Sequence, residues 1–250
     1  MLFSCSSPID THRIMTYNIR HGLGMDGVLD LERTARVIKA ANADIVILNE
    51  VDDGTARSFG VHQADSLGAL LGLFAVFGPS INYDGGQYGN ALLSRYPILD
   101  FHVVDLSTDS LLEGRSVLLS RVDFRDDTLT IMGTHLGLSP EERWEQVLGI
   151  LEVLPEDNSV LLAGDFNFES SSEAYSLLTK SLRDGIAEST VEPRPTFPAN
   201  NPDRRIDYIF IGESIEVEKR GEFQHPEIST ASDHQPQVLH FRGSPHGSTQ

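Results

Sequence analysis

Leu161–Ser170 reads LLAGDFNFES. Two leucines, an alanine and a glycine run without interruption into Asp165, Phe166 and Asn167. With Ser159 and Val160 ahead of it, this short apolar run reads as a β-strand buried on both faces. An acid and an amide at the end of such a strand add nothing to burial. Their place at the tip of a rigid support calls for a chemical reason.

The same pattern recurs along the chain. RIMTYN (13–18) reads as a strand ending in Asn18, and DIVILN (44–49) as a buried strand followed by Glu50. TLTIMGTH (128–135) ends in His135, Asp207 stands within or just before the strand DYIFI, and Asp233–His234 precede a last strand, PQVLHF. YGNALLSR, LDFHVVDL, RSVLLSRVDF and a segment near SIEVEKR supply further strands. Helices are expected over Asp30–Ala41, with Leu31, Ala35, Ile38 and Ala41 on one face, and over Gln63–Leu71. A third follows Ser139, where Pro140 suits the first helical position and Glu142 closes a capping box, with Trp144, Leu148 and Leu151 as its inward stripe. A short fourth opens in the same way at Ser170 and Glu173. Many strands with few, irregularly interspersed helices argue against a barrel of repeated βα units. They predict two packed mixed β-sheets flanked by helices.

Composition sets the frame. The chain has 250 residues, 40% of them hydrophobic, and no Pro/Ser/Gly-rich linker divides it, so one large domain is expected over residues 13–242, with tails at 1–12 and 243–250. Nineteen Lys and Arg against 37 Asp and Glu leave a net charge of −18, which repels nucleic acid and anionic membranes at long range. A single cysteine, Cys5, excludes an internal disulfide and a thiolate metal cluster. No apolar run reaches transmembrane length. The opening MLFSCSS is too short for a complete signal peptide and resembles the end of a lipoprotein signal at Cys5, trimmed of what precedes it; otherwise a cytoplasmic location is the default expectation. No obligatory protein partner is implied.

Each polar residue at a strand end has a plain structural use taken singly. Asn18 and Asn167 can make turns, Asp165 and Asp233 can cap, and His135 can be a satisfied interior histidine. Together they share one location and one chemistry, which turns and caps do not require. Glu50, Asp165, Asp233 and Asn18 offer hard oxygen donors, suited to Mg²⁺ or, as a substitute, Mn²⁺. Zinc is disfavoured by the absence of an H-E-x-x-H pair and of usable cysteines. No G-x-S-x-G elbow marks a serine hydrolase, and GLGMDG (22–27) is not a nucleotide phosphate loop, because no strand, helix and following lysine frame it.

MTYNI, LNEVD, GTHL, GDFN, RIDYIF and SDHQP follow one another between residues 15 and 236. In kind and order they resemble the signatures of the endonuclease/exonuclease/phosphatase superfamily, whose members include deoxyribonucleases, abasic-site endonucleases, neutral sphingomyelinases and inositol polyphosphate 5-phosphatases. The resemblance spans nearly the whole chain and implies a four-layer α/β sandwich. It further implies that Glu50 is the principal metal ligand, with Asn18 and Asp233 on the metal side. Asp165 then orients or deprotonates the attacking water, and Asn167 binds a phosphate oxygen. His234 contacts the phosphate with Asp207 holding its ring, and His135 faces the phosphate. Arg115, in EGRSVLLSRVDF, resembles a phosphate-contacting arginine of the nuclease branch. Tyr88 in GQYGN is a further phosphate-side candidate, with a core or rim tyrosine as the alternative.

The expected activity is hydrolysis of a phosphoester. The nearest basic cluster is Arg194, Arg204 and Arg205, of which Arg205 is the closest candidate for phosphate binding. Three arginines suit one or two phosphates rather than the many that long nucleic acid presents. A small-molecule, lipid-head-group or sugar phosphoester is therefore expected. A DNA or RNA endonuclease is the alternative, and an inactive binding protein on the same fold the lesser one.

Overall fold

A computed structural model describes residues 11–124, 127–156, 159–189, 193–218 and 223–243. Cys5, nearly all of both expected tails and the end of SIEVEKR lie outside these residues. The first sheet contains β1 (His12–Asn18), β2 (Ile45–Asp53), β3 (Phe74–Tyr83), β4 (Gly86–Ser94), β11 (Ile215–Glu218) and β12 (Gln237–Gly243), in the order β11-β12-β1-β2-β4-β3. The second contains β5 (Ile98–Asp105), β6 (Ser116–Phe124), β7 (Asp127–His135), β8 (Val160–Asp165), β9 (Arg183–Asp184) and β10 (Asp207–Ile211), in the order β5-β6-β7-β8-β10-β9. Each sheet is mixed: β1–β2 and β7–β8 run parallel, and the other pairs antiparallel.

Three apolar layers hold the sandwich together. Between the sheets, Ile14, Ile47, Leu92, Leu118, Ile131, Leu161 and Ile209 form one core. On the outer face of the first sheet, Met15, Tyr17, Val46 and Leu48 pack with Val37 and Ile38 of α1 (Leu31–Ala41), Leu67 of α2 (Gln63–Leu71) and Ile228 and Ala231 of α6 (Ile228–Ala231). On the outer face of the second, Met132, Leu162, Tyr208 and Phe210 pack with Val147 and Ile150 of α3 (Pro140–Glu152) and Ala174 and Leu178 of α4 (Glu173–Leu178). A short α5 (Gly185–Ser189) follows β9. The fold is the expected four-layer α/β sandwich. Alternation along β1 explains the arrangement, because Ile14 faces the inter-sheet core while Met15 and Tyr17 face the helices. Among the described residues no helix is long and apolar enough to cross a membrane.

β3 is not among the expected strands; it forms the edge of the first sheet, with a register shift at Pro79–Ile81. Two local expectations are corrected. The capping box of α3 forms as expected, but its inward face is Gln146, Val147 and Ile150. Trp144 and Leu148 stay 37% exposed, since the stripe they form is rotated away from the sheet. The cap of α4 is Ser172, bonded to the Tyr175 amide, rather than Ser170.

Candidate active site

Every strand-end residue singled out above lies at one edge of the sandwich, and the backbone there is under constraint. Gly164 approaches β7 so closely that a Cβ would sit 1.8 Å from the Thr134 carbonyl oxygen, so only glycine fits immediately before Asp165. Glu50 (φ 57°) lies in a bulge of β2, between Leu48 and Val51, and Asn167 (φ 51°) follows β8; both are left-handed. Non-glycine residues there are uncommon and cost free energy, and such positions cluster at functional sites.

The side chains form a connected chain. The Asn18 amide nitrogen donates to Glu50 Oε1 (3.0 Å) and to Asp165 Oδ2 (3.1 Å), tying β1 to both sheets' acids. Its own oxygen accepts from the Arg20 backbone N–H (3.1 Å), which fixes the amide's orientation. Asp165 Oδ1 accepts from the Asn167 N–H (3.0 Å). Asp165 Oδ2 lies 3.5 Å from His234 Nε2 and 3.5 Å from His135 Nε2. His234 Nδ1 is 2.9 Å from Asp207 Oδ2, while Asp207 Oδ1 is buried with no partner. Asp165, Asp207 and His234 are all buried, and one ligand atom from each lies within 4.8 Å of the others, close enough to share an ion.

His135 joins this chain to Arg115. Arg115 Nη1 lies 3.4 Å from Nδ1 and the Asn167 amide nitrogen 3.1 Å from Nε2; both groups only donate, and a neutral ring has one acceptor nitrogen, so it accepts from one of the two. The Asn167 amide also donates to the Leu136 carbonyl (3.0 Å). Arg115 is itself 5% exposed and paired with Glu113 at 2.6 Å.

Electrostatics separate these groups. Burial pushes the Asp165 carboxyl up to about 7, against the pull of the His234 charge. Burial works against a charge on His234, yet Asp207 and Asp165 outweigh it and raise the imidazole to about 10. His135 is held well below its ordinary value by burial, with Arg115 and His234 adding repulsion. Near neutrality the site therefore combines a charged imidazole, a neutral imidazole and a carboxylate able to take up a proton. Glu50 is raised by burial and by the neighbouring Asp233 charge, with only the Asn18 amide bonded to it. Glu50 and Asp233 feel one another's charge, Arg20 Nε lies 3.7 Å from Asp233, and both acids offer hard oxygen donors of the kind a divalent cation takes.

Two candidates stand differently. Tyr88 lies on the rim, with the Arg57 guanidinium 5.3 Å from its ring centroid, and burial and the Glu50 charge raise its phenol. Arg205 is not brought into the chain of contacts: it pairs with Asp184 and stacks 4.3 Å above the Tyr208 ring. Other residues that shape the site are not singled out from the sequence. Asn49 is fully buried between the sheets, donating to Asn90 Oδ1 and the Thr134 carbonyl (2.8 Å each) and accepting from the Asp165 N–H (2.9 Å). Ser232 donates to the Asn18 carbonyl (2.7 Å), and the Phe197 ring lies 4.8 Å from that of His234. Asn49 and Ser232 stand inside the motifs LNEVD and SDHQP, and that membership is the sequence signal that could have marked them.

Comparison with known proteins agrees with this fold. The sequence profile of the Endonuclease/Exonuclease/phosphatase family matches residues 15–234. The uncharacterized protein YbhP of Escherichia coli (strain K12) is 29% identical over 221 residues, covering 80% of this chain and 84% of YbhP. Among solved structures, an endonuclease/exonuclease/phosphatase from Beutenbergia cavernae DSM 12333 superposes with a TM-score of 0.81 at 27% identity, over 94% of this chain and 72% of that one. A mannosyl-6-phosphatase of Bacteroides thetaiotaomicron VPI-5482 shares the fold, with a TM-score of 0.73 at 18% identity over 92% of this chain and 99% of its own. With a profile match across nearly its whole length, the chain belongs to the endonuclease/exonuclease/phosphatase family.

Proposed function

We propose that the protein is a divalent-metal-dependent phosphoester hydrolase. The observation that carries this reading is the buried chain Asp207–His234–Asp165, set beside the acids Glu50 and Asp233. Glu50 and Asp233 would hold Mg²⁺, or Mn²⁺ in its place, and Asn18 would orient Glu50 through its amide. When bound, the ion supplies charge neutralisation for the phosphoryl oxygens and the leaving oxygen.

The residues divide the remaining work. Asp165 accepts a proton from water as the water oxygen bonds to phosphorus and the ester P–O bond breaks. Its acceptor strength comes from burial, and Asn18 and the Asn167 N–H hold its two oxygens in place. His234, kept charged by Asp207, donates Nε2–H to a non-bridging phosphoryl oxygen and offsets the charge that grows there. Arg115 binds a second such oxygen, with neutral His135 and the Asn167 amide beside it.

A small-molecule, lipid-head-group or sugar phosphoester fits the surroundings better than long nucleic acid. The net charge of −18 opposes a polyanion, and Arg205, part of the nearest basic cluster, is already committed to Asp184. The sugar phosphatase that shares the fold is consistent with a small substrate. The test is direct. Isothermal titration with Mn²⁺ should give one binding event that Glu50→Ala weakens at least tenfold while circular dichroism stays unchanged. Equal binding by the variant would remove Glu50 from the metal site.

A further inference from the structure

Arg115 does not stand alone at the phosphate side of the site. Its guanidinium side chain is only 6% exposed, whereas Glu113, bound to Nη1 at 2.6 Å, is 48% exposed. The loop that carries Glu113 is closed at its base by the Leu106 N–H bonded to the Arg115 carbonyl (2.8 Å). Gly114 lets it lie flat on β3, since a Cβ there would fall 3.0 Å from Ile81 Cγ2. The acid is thereby folded back over the arginine two residues later. Arg115 Nη1, which binds Glu113, also lies 3.4 Å from His135 Nδ1, so the Glu113 carboxylate sits on the site's side of the loop, and its charge and that of Glu50 both raise the Tyr88 phenol. Arg115 Nε is buried without a partner, so this guanidinium keeps an unused donor while Glu113 occupies Nη1.

Resting on the hydrolase reading above, we propose that Glu113 makes the site select phosphodiesters over phosphomonoesters, by covering one edge of Arg115 and setting a carboxylate beside the scissile phosphate. A diester carries one negative charge near neutrality, while a monoester, with a second ionisation near pH 6, carries close to two. The Glu113 carboxylate opposes the extra charge and takes Nη1, one of the guanidinium donors that a dianion would use. Glu113 is a positioning residue: it touches Arg115 and acts on the substrate through charge. At a half-exposed position one such interaction discriminates by roughly tenfold.

The test compares wild type with Glu113→Gln on bis(4-nitrophenyl) phosphate and 4-nitrophenyl phosphate at pH 8 with Mn²⁺. The ratio of kcat/KM, diester over monoester, should fall about tenfold in the variant. Intrinsic reactivity cancels because the same two esters are used throughout. A merely structural glutamate would lower both activities together, with a lower Tm and an unchanged ratio, and that result would overturn the proposal. If neither ester is turned over, dissociation constants decide the matter instead, and the hydrolase reading is judged separately on a wider phosphoester panel. Inorganic phosphate should then bind Glu113→Gln about tenfold more tightly relative to dimethyl phosphate, and equal shifts for both would refute the selection.

Discussion

The pair formed by Asp207 and His234 allows the sharpest mechanistic test. Their 2.9 Å contact is buried at both ends, with Asp207 1% and His234 4% exposed. The Asp207 side chain bonds nothing else, since Oδ1 has no partner and Thr196 reaches only the backbone N–H. Asp207→Asn is nearly isosteric and should shift Tm by no more than about 2–4 °C, equivalent to about 1 kcal/mol in a chain of this size. The imidazole loses the neighbour that holds its proton and its ring orientation. We expect kcat to fall by about two to four decades, or about 3–5 kcal/mol of transition-state stabilisation, and similarly for His234→Ala. Because one residue acts through the other, the double variant should lose little beyond the worse single one. Measuring kcat and Tm for wild type, both singles and the double completes the cycle. Strictly additive losses, or a large Tm defect without a rate defect, would refute the pairing.

Two further predictions concern stability. Burial would raise the Asp52 carboxyl, but bonds from Arg57 (2.8 and 2.7 Å), Ser58 and Thr55 (2.7 Å) reverse this and hold it below the ordinary carboxylate range. A carboxyl lowered in the folded state stabilises above its unfolded value of about 3.9 and loses that contribution as pH falls through the folded value. Asp52→Ala should therefore lower Tm by about 6–12 °C at pH 7, about 3 kcal/mol, and the gap to wild type should narrow as pH falls through the lowered folded value; a gap independent of pH in a melting series would contradict the assignment. Asn49→Ala leaves the Asp165 N–H and the Thr134 carbonyl without their cross-sheet partner, which should cost about 2–4 kcal/mol in urea unfolding. A loss under about 0.5 kcal/mol would mean that water replaces the amide.

Much of this architecture is legible in the sequence because burial and chemistry leave opposite marks. Runs such as DIVILN and SVLLAG can only be strands covered on both faces, and the polar residues that end them therefore fall on one edge of the sandwich. Local signals fail where tertiary context decides. β3, which holds Gly78 and Pro79, is not expected from the sequence, and its pairing with β4 at the sheet edge makes a strand of it. On α3 the inward face is Val147 and Ile150 with Leu151 packed beside them, while Trp144 and Leu148 of the expected stripe turn outward. Arg205 is adjacent to the right strand in sequence, but Asp184, in the neighbouring strand β9, captures its guanidinium. The cross-sheet role of Asn49 requires knowing that β2 lies over β7 and β8, which no local pattern reveals.

The central claim is that a metal-dependent phosphoester hydrolysis takes place between Glu50–Asp233 and Asp165–His234. The most direct measurement is turnover of a phosphoester panel (diesters, sugar phosphates, lipid head groups and plasmid DNA) by the full chain with Mg²⁺, after exhaustive chelation, and after Mg²⁺ is restored. We predict turnover of a small phosphoester that chelation abolishes, Mg²⁺ restores and Asp165→Asn eliminates, with plasmid nicking slower than the best small substrate. Undiminished turnover after chelation, or full activity in Asp165→Asn, would contradict the account.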